Sequence, residues 1–113
     1  LADVYLMYAE CAKRGAGNAT ISQAVTYVNN LRERANNGTS ANISSTDLTL
    51  DFILDERARE LHWEGHRRQD MIRFDKFLLA NEFRPASPAY RKLFPIPTSA
   101  LDANRGLKQN PGY

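Results

Sequence analysis

The sequence predicts an all-α fold with long irregular connections, and a few observations carry that expectation. Apolar residues recur at helical spacing in two successive stretches near the start of the chain, and a glycine-containing loop joins them. No run of alternating apolar and polar residues is long enough to mark a strand. Prolines punctuate the final stretch and exclude regular helix there.

The first helix is expected over about residues 1–14, because Leu1, Val4, Tyr5, Tyr8 and Ala12 recur at i, i+3, i+4, i+7 and i+11. Gly15-Ala16-Gly17-Asn18 ends it, since glycine reaches the left-handed conformation of a helix C-terminus. Thr20 or Ser22 caps a second helix over about 20–35, with the stripe Ala24, Val28, Leu31 and Ala35. Two such helices joined by a short loop make an antiparallel hairpin. Their spacing of small and large apolar residues resembles a tetratricopeptide-type pair, although one copy demonstrates no repeat period. Residues 36–46 are rich in Asn, Ser, Gly and Thr and read as loop. Three N-glycosylation patterns, at Asn18, Asn37 and Asn42, are accounted for by chance in so polar a composition. Asp47 or Thr49 starts a third helix over about 48–64, Gly65 breaks it, and helix resumes over about 67–79. Residues 81–113 form an extended, turn-rich tail: Pro85 and Pro88 sit in a loop and Leu93-Phe94-Pro95-Ile96-Pro97 is extended. Thr98 to Leu101 starts a short helical turn and Asn110-Pro111-Gly112-Tyr113 is a turn.

A length of 113 residues suits one domain. A net charge of +2 gives no strong field for nucleic acid or an anionic membrane, so neither is an expected partner. Cys11 is the only cysteine, which rules out an intramolecular disulfide, and its neighbours suit a small buried apolar residue. No stretch approaches the about 18 apolar residues that span a bilayer. The chain opens inside a helix without an initiator methionine and reads as a piece of something longer, with targeting information upstream.

The densest polar stretch runs from Asp55 to Asp70. Glu56, Glu60 and Glu64 step along one helix side, and Arg57, Glu60, Glu64 and Arg67 share a neighbouring ridge. Carboxylates so placed serve as general acids, bases or metal ligands in other settings. Here arginines lie within reach, and a paired arginine makes a carboxylate a poorer base. An ion-pair lattice is therefore expected in place of catalysis. His62 and His66 have the i, i+4 spacing of a metal pair, but Glu64 projects to the other side of the helix and no third ligand follows. No metal or other cofactor is expected, and no catalytic residue. Arg57, Arg59, Arg67, Arg68 and Arg73 are interleaved with acids, which argues against a nucleic-acid surface.

Three blocks in order resemble the SusD/RagB family. The first is Leu1-Ala2-Asp3-Val4-Tyr5-Leu6-Met7-Tyr8-Ala9-Glu10. The second, Glu56 to Phe74, is similar to that family's E-R-x-x-E-L-x-x-E-G-x-R-x-x-D-L-x-R-W segment, departing with Met71 for Leu and Phe74 for Trp. The third is Leu93-Phe94-Pro95-Ile96-Pro97, then Asn104, then Gln109-Asn110-Pro111-Gly112-Tyr113. The resemblance makes residues 1–113 the C-terminal portion of a SusD-like domain built on tetratricopeptide-like helix pairs.

That resemblance implies a non-catalytic protein that binds oligosaccharide or polysaccharide nutrients at the extracellular face of a bacterial outer membrane. It implies a lipid anchor at an N-terminal cysteine outside this segment, and a SusC-like TonB-dependent β-barrel transporter as partner. Glu56, Arg57, Glu60, Glu64, Arg67, Asp70 and Arg73 carry over as a structural ion-pair network holding the third helix. Removing one partner is expected to destabilise the fold, Arg67→Ala included. The motif helix places Trp63 in the core, and Tyr90, in a proline-containing loop, is the ring left as a glycan candidate. The competing reading is a helical protein–protein interaction module without glycan binding.

Overall fold

An alanine-rich segment with Asp3 in its first turn and Lys13 in its last forms the first helix, α1 (Ala2–Lys13). Gly15, at φ +71°, terminates it, and the Ala16 N–H reaches back to the Cys11 carbonyl. Helix α2 (Ile21–Asn36) begins at Thr20, whose hydroxyl accepts the Gln23 N–H at 3.2 Å, and ends on Asn37 in the left-handed region. Thr49 caps α3 (Leu50–Glu60) in the same way, accepting the Phe52 N–H at 3.0 Å. Two short helices follow, α4 (Arg67–Arg73) and α5 (Thr98–Ala103), with single 3-10 turns at Thr39–Ala41 and Ala89–Lys92. The computed structural model describes residues 1–113, and its only β pairing is an isolated bridge between Asn81 and Arg84. The fold is all-α, and no helix is long and apolar enough to cross a membrane.

The chain divides into two compact units, Leu1–Asp70 and Met71–Tyr113. In the first, α1 packs on both α2 and α3. Leu6, Ala9 and Ala12 from α1 meet a core that includes Ala24, Val28 and Leu31 of α2 and Leu48, Ile53, Leu54 and Leu61 around α3. Alanines at three of these positions let the helix backbones approach closely. Tyr5 stacks on Tyr27 at 4.3 Å between ring centroids, Tyr8 meets Tyr27 edge-on, and the Tyr8 hydroxyl accepts the Thr20 N–H.

The buried stripe of α1 differs from the one expected. Leu1 and Val4 face outward, and Leu6 and Ala9 occupy the centre. The apolar residues of α1 nearly encircle it, so periodicity alone leaves the phase open; the partner helices select it. Cys11 is exposed for the same reason, on the far side from Ala9 and Ala12. Ala35, at the end of the α2 stripe, is exposed as well.

The third and fourth helices end earlier than their spacing suggests. α3 stops at Glu60, and Trp63 (φ +65°) and Gly65 (φ +79°) turn the chain through left-handed backbone. α4 stops at Arg73, where Asp75 (φ +57°) turns the chain and the Lys76 N–H returns to the Met71 carbonyl.

Asn29 pins the loop after α2. Its side-chain amide donates to the Ile43 carbonyl at 3.0 Å and accepts the Ile43 N–H at 2.9 Å. Asn29→Ala is expected to cost about 1–3 kcal/mol, because two backbone groups lose their partner together. Faster hydrogen exchange at the Ile43 amide, with α1 unaffected, is the readout. Farther along, Ser44 donates its hydroxyl (2.6 Å) and its N–H (2.8 Å) to the Asp47 carboxylate, which holds that group below its usual value of 3.8. A depressed carboxylate pKa contributes stability above the unfolded value that is lost as pH falls through the folded one. The Ser44 amide is therefore expected to lose exchange protection below the ordinary aspartate range, and Asp47→Asn to abolish that pH dependence.

In the second unit Phe74 is the one large apolar side chain that is buried. The closing residues fasten onto the extended Leu93–Pro97 segment. Gln109 bonds both backbone groups of Ile96 (2.8 and 2.9 Å), Asn110 donates to the Phe94 carbonyl, and the Tyr113 hydroxyl donates to the Leu93 carbonyl. Gly112, at φ +93°, lies against Tyr90, where a Cβ would come within 2.5 Å of the ring.

Candidate functional site

The charged residues of α3 engage partners on three other helices, α1, α2 and α4. Arg57, buried, sits between two carboxylates: its Nε donates to Asp70 Oδ2 at 2.8 Å, and its Nη1 lies 2.8 Å from Asp3 Oδ1. The second contact falls off the hydrogen-bonding axis and is a Coulombic one. Glu56, also buried, accepts from Arg32 of α2 at 2.8 Å and from Arg59, one helical turn on, at 2.6 Å. Arg34 Nη2 donates to both oxygens of Glu60. Arg32 and Arg59 also approach the Phe52 ring, at 5.5 and 5.8 Å from its centroid. Every buried carboxylate of this lattice has a guanidinium on it, the opposite of what a general base requires.

The lattice differs in membership from the one expected. Glu64 is exposed and makes no ion pair, because α3 has ended before it. Arg67 makes no ion pair either; its Nη1 donates to the Leu54 carbonyl at 2.9 Å. Arg73, by contrast, is exposed yet engaged, with its guanidinium over the Phe74 ring, 5.0 Å from the centroid. The members that local helical spacing leaves out are Asp3, Arg32 and Arg34, all distant in sequence. An Arg67→Ala variant loses one charged hydrogen bond from an exposed residue, so its expected cost is about 1–2 kcal/mol, below that of a broken buried pair. A shift of the urea midpoint with the m-value unchanged is the measurement.

The turn between α3 and α4 carries the most exposed aromatic residue of the chain. Trp63 is 94% exposed, where the helical pattern placed it in the core. Its left-handed backbone swings the ring off the α3 axis, and such a conformation in a bulky residue costs about 1–3 kcal/mol that the surroundings must sustain. His62 stacks beside it, with centroids 5.4 Å apart and planes inclined by 23°. The same break keeps His62 and His66 from sharing one helix face, since neither lies within α3. A cavity of about 470 Å³ opens at this turn. Ala58, Leu61, Gly65, His62, Trp63, Arg67 and Arg68 line it together with the paired Arg57. No carboxylate lines it.

Tyr90 is half-buried, edge-on to Tyr113 with centroids 5.1 Å apart and Arg91 over its face. That packing, with Gly112 against the ring, leaves less free surface than Trp63 presents.

A family model described as the SusD family matches residues 1–113. The starch-binding protein SusD of Bacteroides thetaiotaomicron is 34% identical over an alignment covering 100% of this chain and 20% of its own length. The SusD-like protein P25 of Formosa agariphila is 38% identical over 100% of this chain and 24% of its own. The crystal structure of a SusD superfamily protein from Bacteroides vulgatus matches with a TM-score of 0.77 and 32% identity, covering 99% of this chain and 26% of that one. The chain thus spans between 20% and 26% of the length of these relatives.

Proposed function

The chain belongs to the SusD family, and from that premise we propose that it is part of a non-catalytic protein binding oligosaccharide or polysaccharide nutrients at the bacterial cell surface. The observation that carries this reading is the match along the whole chain to a starch-binding protein. In the same proposal the bound glycan passes to a SusC-like TonB-dependent β-barrel transporter. The protein then sits at the outer face of the outer membrane through a lipid anchor outside this segment. Glu56, Arg57, Glu60 and Asp70 serve as scaffold, which their arginine and carboxylate partners support. Tyr90 is the weaker of the aromatic candidates for sugar contact, because Tyr113 occupies its edge.

One observation favours the alternative of a helical protein-docking module: Leu1, Val4 and Met7 are 85%, 54% and 44% exposed along one side of α1. Affinity electrophoresis of the full-length protein through gels containing plant, host and microbial polysaccharides separates the two. Retardation by at least one polysaccharide is the expected result. Free migration through all of them would overturn the glycan reading and favour docking.

A further inference from the structure

The geometry points to the Trp63 turn as a subsite for an anionic sugar, a ring bearing a carboxylate or a sulfate; this inference rests on the glycan reading above. Sugar rings present flat C–H faces that pack on aromatic faces, so a subsite needs an accessible ring held in place with hydrogen-bond donors beside it. Trp63 is 94% exposed, its backbone is set in the left-handed region, and His62 stacks beside it. A cavity of about 470 Å³ adjoins the ring, within the size range of small-ligand sites. Among its lining, Ala58 and Leu61 offer apolar surface that suits a sugar's carbon face.

The preference for negative charge comes from the charged residues that line the cavity. Arg67 lines it and no carboxylate does. Arg57 also lines it, but Asp3 and Asp70 balance its charge. Arg67 is different. Its one structural bond goes to a neutral carbonyl, that of Leu54, so its positive charge is not cancelled by an ion pair. The bond instead anchors the guanidinium at the cavity, with other N–H donors left for an oxyanion.

The test is affinity electrophoresis of the full-length protein and its Trp63→Ala and Trp63→Phe variants, in gels containing polygalacturonate, a sulfated galactan or starch. The inference expects one of the two anionic gels to retard the natural protein, and Trp63→Ala to weaken that retardation by about tenfold. Trp63→Phe should restore part of it, Arg67→Gln should weaken it, and retardation by starch should be the same in every variant. The gel that responds identifies carboxylate or sulfate as the anion. Equal retardation of Trp63→Ala and the natural protein in both anionic gels overturns the subsite and leaves the glycan reading standing. So does retardation by starch alone. A Trp63→Ala protein that melts several degrees lower yet binds as before would place the ring in a packed interface and also overturn it. Migration unaffected by any polysaccharide defeats the subsite and the glycan reading together.

Discussion

Arg57→Ala is expected to destabilise the protein by about 3–5 kcal/mol, the usual cost of deleting one member of a buried ion pair. Arg57 is 4% exposed and holds two carboxylates, Asp3 at the start of α1 and Asp70 in α4, the second of them also buried. Without the guanidinium, Asp70 keeps its desolvation cost and loses the buried charge 2.8 Å from its Oδ2. The penalty thus comes mainly from what is left behind, and this gives the measurement its control. Arg57→Met combined with Asp70→Leu removes both charges and fills the space with apolar groups, and it should recover much of the loss. Urea unfolding of the two variants and the natural protein reads both effects. If Arg57→Ala unfolds at the natural midpoint, the buried pair does not hold Asp70 to α3.

The second large effect is expected at Leu6, which is fully buried on α1. Leu6→Ala leaves a cavity between α1 and its two partners and should cost about 2–5 kcal/mol. Val4, two residues earlier, is 54% exposed, so Val4→Ala should stay within about 0.5 kcal/mol. The contrast reports the rotational phase of the helix directly. Equal losses at the two positions would mean that α1 is turned differently about its axis.

Much of the architecture was legible in the residues. Helical spacing located α1 to α4, the Thr20 and Thr49 caps were among the candidates, and the proline pairs announced the irregular tail. These features depend on interactions within a few residues, and such interactions are written in local sequence. The motif blocks named the family, because their order and spacing persist along the whole chain. The ends of α3 and α4 were less legible. Glu64 and the residues after Phe74 continue a helical pattern, yet left-handed backbone at Trp63, Gly65 and Asp75 ends each helix earlier. Only Gly65 advertised its turn, since tryptophan and aspartate carry no comparable signal.

The candidate site lay on the illegible side of that divide. A tryptophan inside a helical motif reads as core, and nothing in its neighbours says that the helix has already stopped. Its exposure follows from the turn, and the turn from how α3 and α4 are held together by Arg57 and Arg67. Likewise, i, i+4 reasoning finds only partners on the same helix, so it identified Glu56 and Glu60 as charged lattice members but not Arg32 and Arg34 facing them. By itself the sequence determined the all-α class, the approximate helix positions and the family, because each rests on local propensity or on motif order. Tertiary packing alone decided which face of α1 is buried, which charges pair and where Trp63 points. Those outcomes depend on groups far apart in the chain, and the free energy of bringing them together is not recorded at any single position.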